Sequence, residues 1–152
     1  MKQKINKFGE RIKQLRVENN LTQDVLSERI NISQSAISVW ESSLRVPSAL
    51  IVIEFSIFFN VSSDYLLGIT DDKKWCNYKK EDIASLSERI KELRLQMQLT
   101  QSELAKRTGL LQSSIAYWEI GKNVPDSNKI IILAEFFDVS TDYLLGLSDN
   151  MN

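Results

Sequence analysis

Two stretches of this chain are near-twins. Leu21 to Glu41 reads LTQDVLSERINISQSAISVWE, and Leu99 to Glu119 reads LTQSELAKRTGLLQSSIAYWE, 78 residues later. Extended without a gap, residues 8–70 and 86–148 agree at 28 of 63 positions. Such agreement over a gap-free span means one small unit written twice, so each copy is expected to fold alike. The 152 residues therefore divide into a first domain, 1–70, a linker, 71–85, and a second domain, 86–152. Each is near the lower size at which a core supports itself, so packing and helix caps carry weight.

Composition narrows the chemistry. Apolar and charged fractions of 43% and 26% are those of ordinary soluble globular protein. The single Cys76 excludes an intramolecular disulfide and suits a reducing cytoplasm. No apolar run reaches membrane length, and the start MKQKINKFGERIKQLR has no apolar signal-peptide core. Histidine is absent, which removes a Ser-His triad and leaves no basis for a transition-metal site on nitrogen or sulfur. No enzyme and no cofactor are expected. The net charge of −1 argues against non-specific nucleic-acid binding. Its distribution is uneven: Lys2, Lys4, Lys7, Arg11, Lys13 and Arg16 face only Glu10 in the first sixteen residues. That basic start marks a place for an anionic partner, whereas the second copy is slightly acidic.

Within each copy the pattern is helical. Phe8, Ile12, Leu15 and Arg16 recur at helical spacing and predict a first helix ending near the ENN of residues 18–20. Thr22 reads as the N-cap of a second helix, with Asp24 favourable to its dipole, and Thr100 with Glu103 spells a capping box. Leu26, Ile30 and Ile32 continue the buried face. Asn31 and Gly109, the residue types that best tolerate a left-handed backbone, break the chain. A third helix then starts after Ser33, a fourth follows Pro47 or Pro125, and Ser62 or Ser140 caps a short fifth helix stopped by Gly68 or Gly146. The fold class is all-α, with five helices per copy and a helix-turn-helix inside each.

The ordered elements L-T-Q, Q-S-x-I-x-x-W-E, P and V-S-x-D-Y-L-L-G, at fixed spacing in both copies, resemble the Cro/phage-repressor (Xre) helix-turn-helix family. The resemblance covers about four-fifths of the chain. It implies two tandem lambda-repressor-like domains that bind operator DNA in the major groove, usually as repressors. It also implies that Arg16 with Glu41, and Arg94 with Glu119, form buried ion pairs tying the first helix to the third. Trp40 and Trp118 are read as core anchors rather than platforms for bases.

The candidate DNA contacts follow from chemistry at these positions. Gln23 and Gln101 stand in the first turn of their helices, where backbone N–H groups, the helix dipole and an amide can meet a phosphate; a solvated helix start is the alternative. Gln34, Ser35, Ser38 and Val39, matched by Gln112, Ser113, Ala116 and Tyr117, lie on the face of the third helix. Glutamine pairs with adenine, serine donates or accepts, and valine meets a thymine methyl. No arginine or lysine stands on that face, so sites rich in A·T are expected. Arg45 and Lys122 can reach the DNA backbone from the following loops.

The copies also diverge. ESSLRVP lacks the glycine kept at Gly121 in EIGKNVP, and Leu111 replaces the cap Ser33. Leu50, Ile51 and Ile57 stand where the second copy has Asn128, Lys129 and Glu135. An added apolar face of that kind points to an interface, either with a second copy as a homodimer or with the connector. Trp75 and Tyr78 in the connector suit docking on a domain, and Cys76 has no evident partner. The function expected is sequence-specific binding of double-stranded DNA to regulate transcription, as a repressor, from the cytoplasm. The alternative is a protein-interaction module, such as an antirepressor or antitoxin-like partner, in which one or both domains no longer bind DNA.

Overall fold

The structure, a computed structural model, describes residues 6–74 and 86–152. Lys2, Lys4, Trp75, Cys76 and Tyr78 lie outside the described residues, and so do the expectations placed on them. The chain forms two compact units, Met1–Tyr78 and Lys79–Asn152, and its described residues are helical in both. The first unit contains α1 (Phe8–Glu18), α2 (Gln23–Ile30), α3 (Gln34–Glu41), α4 (Ala49–Phe59) and α5 (Ser63–Leu66). The second contains α6 (Leu86–Gln96), α7 (Gln101–Thr108), α8 (Gln112–Glu119), α9 (Ser127–Phe137) and α10 (Thr141–Leu144).

Helix boundaries fall where side chains satisfy the free backbone groups of each first turn. Thr22 Oγ1 accepts from Val25 N, Ser33 Oγ from Ala36 N and Ser62 Oγ from Tyr65 N, at 3.0–3.2 Å. Thr100 and Ser140 do the same for α7 and α10. α2 ends on Asn31 (φ 58°) and α7 on Gly109 (φ 76°), both left-handed. At α8 the cap position is held by Leu111, which makes no side-chain cap bond.

The core of each unit forms where α1 or α6 and α4 or α9 close over the helix pair. Ile12, Leu26, Ile37, Val52 and Phe55 are fully buried in the first unit, and Ile90, Leu104, Ile115, Ile130 and Leu133 in the second. The two cores use different shapes. Phe8, Trp40 and Phe55 meet edge to face with centroids 5.4–6.2 Å apart, contacts worth about 0.5–1.5 kcal/mol each beyond burial. The second unit has Leu86 and Leu133 in place of the two phenylalanines around the buried Trp118.

A second exchange concerns the seat of α1. A Cβ on Gly9 would lie 1.9 Å from the Trp40 carbonyl oxygen and 3.1 Å from Ser43 Oγ, so only glycine lets α1 approach the end of α3 this closely. Ser43 itself is left-handed, at φ 59°, a conformation costing a residue with a Cβ roughly 1–2 kcal/mol. In the second unit the types are reversed: Ser87 stands on the helix and Gly121, at φ 73°, in the loop.

Candidate nucleic-acid interface

The helix-turn-helix of each unit is fastened from below by a charged pair. Arg16 presents its guanidinium fork to Glu41, with Nε–Oε1 at 2.6 Å and Nη2–Oε2 at 3.3 Å, and donates Nη1 to Leu21 O at 2.8 Å. Arg94 repeats the arrangement on Glu119 and Leu99 O at 2.7, 3.3 and 2.7 Å. The carboxylates are 3% and 2% exposed, so the pairs that the resemblance implies are present and buried. Each ties the first helix of its unit to the third.

A further link was not read from the sequence. Gln23 Nε2 donates to Glu41 Oε2, and Gln101 Nε2 to Glu119 Oε2. The glutamine at the start of each second helix is thus oriented by the ion pair beneath it. In the first unit Gln34 Nε2 then donates to Gln23 Oε1 at 2.7 Å. A chain of bonds therefore runs Arg16, Glu41, Gln23, Gln34, from the buried pair to the outer face of α3. The signal was available in principle, because Gln and Glu recur with the same separation in both copies. It takes the turn geometry to show that they meet.

Other candidate residues fall as follows. Gln34, Ser35, Gln112, Ser113 and Tyr117 are exposed, whereas Gln23, Gln101, Ser38, Val39 and Ala116 are half-buried. Ser35 Oγ lies 3.3 Å from the cap hydroxyl of Ser33. Arg45 and Lys122 are both exposed on the loops. The Lys122 ammonium sits 4.6 Å over the Tyr117 ring, a cation–π contact that joins loop and helix. Exposed Leu111 and Ile120, 70% and 73% accessible, flank α8, where the first unit has Ser33 and Ser42 beside α3.

Two expectations change. The basic start is less available than its charge count implies, because Arg16 is paired and Arg11 is buried. Arg11 stacks 4.2 Å over Tyr65 and pairs with Asp71 at 2.5 Å. On α4 only Leu50 is well exposed, at 55%; Ile51 and Ile57 are half-buried, because the helix rotates them toward the flank of the core. Among the described residues no helix is long and apolar enough to cross a membrane.

Comparison with known proteins adds the family. The helix-turn-helix family matches residues 12–66 and again 90–144. A 63-residue stretch is 40% identical to the uncharacterized HTH-type transcriptional regulator YobD of Bacillus subtilis (strain 168), covering 41% of this chain and 56% of the relative. The HTH-type transcriptional activator BcrR of Enterococcus faecalis is 43% identical over 61 residues, 40% of this chain and 30% of the relative. The HTH-type transcriptional regulator ImmR of Bacillus subtilis (strain 168) is 36% identical over 61 residues, 40% of this chain and 48% of the relative. The matched stretch thus spans well under two thirds of each relative. With ten helices among the described residues, in two matching sets, this chain belongs to the Cro/C1-type helix-turn-helix family and carries the domain twice.

Proposed function

We propose that the chain is a sequence-specific binder of double-stranded DNA that represses transcription, each unit placing α3 or α8 in a major groove. The observation that carries this reading is the bond chain from the buried Arg16–Glu41 pair through Gln23 to the exposed Gln34. It fixes a glutamine amide at the outer start of α3, where bidentate recognition of adenine needs a rigid donor and acceptor. Gln101, Gln112, Ser113, Ala116 and Tyr117 give the second unit a related but different face. Arg45 and Lys122 supply backbone contacts that position the units without reading sequence. Two linked readers gain an effective concentration that one lacks, and unlike faces call for unlike half-sites. Occupancy of a promoter by such a pair blocks its use, which is the basis for repression. A cytoplasmic location follows from that role.

Selection of sites from random duplex DNA tests the reading. The wild type should yield a composite site with two unlike, A·T-rich halves. Replacing Gln34 and Ser35 by alanine should relax one half, and replacing Gln112 and Ser113 the other. A reporter fused to the selected site should fall on expression of the protein; a rise would replace repression by activation.

The exposed Leu111, Tyr117 and Ile120 favour a second reading for the second unit alone, as a surface for a protein partner. It gains that unit if the Gln112 and Ser113 replacements leave affinity, footprint and salt dependence unchanged. Self-association through Leu50, Ile51 and Ile57 is also proposed, resting on the exposed Leu50. Sedimentation at tens of micromolar, where a modest interface associates, should show a dimer that Ile57→Glu dissociates. A wild-type monomer would remove it.

A further inference from the structure

The repeat continues past the point where sequence identity fades. Asp71 and Asp149, again 78 residues apart, both pair with the buried arginine of the first helix of their unit. Arg11 Nη2 lies 2.5 Å from Asp71 Oδ1, and Arg89 Nη2 lies 2.9 Å from Asp149 Oδ1. Both guanidinium groups stack on a tyrosine, Tyr65 at 4.2 Å and Tyr143 at 4.1 Å. Two residues on, the backbone closes the same loop in each unit. Ser62 N donates to Lys73 O at 2.9 Å, and Ser140 N to Met151 O at 2.6 Å. The segment Asp71–Lys74, which the sequence assigns to the linker, is therefore a tail bound to the first unit. Turn bonds within it run from Asp72 N to Thr70 Oγ1 and from Lys74 N to Asp72 Oδ1, both 3.1 Å.

The two tails are held differently, Arg89 Nη1 also donating to Tyr143 O and Ser148 O. Lys73 Nζ pairs with Glu18 Oε2 at 2.8 Å in the first unit, but the matching positions in the second are Met151 and Gln96. The extra ion pair stands on the tail that leads into the other unit, the one that would bear tension when both units are engaged. The Arg11 bond also holds the Asp71 carboxyl below its ordinary pKa, and the bond to Lys73 does the same for Glu18.

We propose that this tail, latched by Arg11 and Glu18, sets the reach between the two units and so the half-site spacing that the pair accepts. The proposal rests on the tandem reading above. With the latch closed, the chain from Lys74 to Leu86 spans at most about 40–43 Å; released back to Thr70, it spans about 53–58 Å. Successive major-groove faces lie about 34–36 Å apart. The closed latch therefore keeps the tether short while still long enough to span neighbouring faces, and its release adds about 13–14 Å of reach.

The test uses the full chain in a Cys76→Ser background, with spin labels on cysteines replacing the exposed Glu28 and Lys106. Without DNA, the D71A/K73A double variant should extend the upper edge of the interlabel distance distribution by about 13 Å. High salt should move the wild type the same way, since exposed pairs are screened. An unchanged upper edge in the variant overturns the latch. Binding is then measured on duplexes with one half-site, or with two at graded spacings. The variant should keep wild-type affinity for the single site and lose several-fold of the wild type's preference for its best spacing. A longer reach with an unchanged spacing profile overturns the role in site choice. If the wild type binds two-site duplexes no more tightly than one-site duplexes, the tandem reading fails instead, a result distinguished by label distances that need no DNA.

Discussion

Arg94→Ala is the perturbation whose size the structure fixes best. It removes a guanidinium that makes two bonds to Glu119 and one to Leu99 O. The Glu119 side chain is 2% exposed and would keep only Gln101 as a described donor. Breaking such a pair from one side costs about 3–5 kcal/mol, because the remaining charge stays buried. A loss of 3 kcal/mol raises the population of the opened unit about 150-fold, taking tenfold per 1.4 kcal/mol. Amide exchange followed by mass spectrometry on the full chain reads the units separately. Peptides from α6 to α9 should exchange at least a hundredfold faster in Arg94→Ala, while those from α1 to α4 keep their rates. Arg94→Met combined with Glu119→Leu should recover much of the protection, since an apolar pair avoids the buried charge. Less than tenfold acceleration in the single variant would falsify the claim that this pair holds the second helix-turn-helix together.

Ser56 is fully buried on α4, and its hydroxyl has no hydrogen-bond partner among the described residues. Ser56→Ala, the residue already present at Ala134, should raise the unfolding free energy of the first unit by about 1 kcal/mol in urea titration. Leu111→Ser should stabilise the second unit by about 1 kcal/mol, because the position already has extended N-cap geometry, φ −78° and ψ 134°, and lacks only the acceptor. The tail latch should open in acid. The lowered pKa values of Asp71 and Glu18 come first from their bonds to Arg11 and Lys73, so their contribution is full above the ordinary carboxylate pKa and lost as pH falls through the folded value. Label distances should hold from pH 7 to about 5 and lengthen below about 4; lengthening already at pH 6 would contradict this.

What the sequence made legible was local. Caps at Thr22, Ser33, Ser62, Thr100 and Ser140, and breaks at Asn31 and Gly109, depend on bonds within a few residues, so their types and spacing identify them. The Arg16–Glu41 and Arg94–Glu119 pairs became legible through the family resemblance, since their partners stand 25 residues apart. Arg11 counts as available charge in the sequence because only the fold brings Tyr65 and Asp71 over it. The Asp71–Lys74 tail was hidden for the same reason: a charged run after a glycine looks like a linker until its partners are in place. The link from Gln23 to Glu41 likewise crosses from one helix to another. Half-burial of Ile51 and Ile57 depends on how α4 is rotated against the core, a few tens of degrees that apolarity alone does not set.

The reversed pairs, Gly9 with Ser43 and Ser87 with Gly121, make the two units unequal partners in gene rearrangement. Tandem repeats can undergo unequal crossing-over, and an exchange between the first helix and the loop after the third yields two reciprocal hybrids. The shortened gene joins Gly9 to Gly121 and carries no added Cβ at the seat of the helix. The lengthened gene must build an extra unit that joins Ser87 to Ser43. If that hybrid keeps the close approach of the first unit, it sets a Cβ against the carbonyl oxygen from which one added at Gly9 would lie only 1.9 Å. The Phe8–Phe55 and Leu86–Leu133 exchange adds a mismatch in core volume to each. Contraction to a single unit is thus sterically open at this seat, whereas expansion to three carries a built-in penalty, so the fold itself biases how many copies such a gene retains.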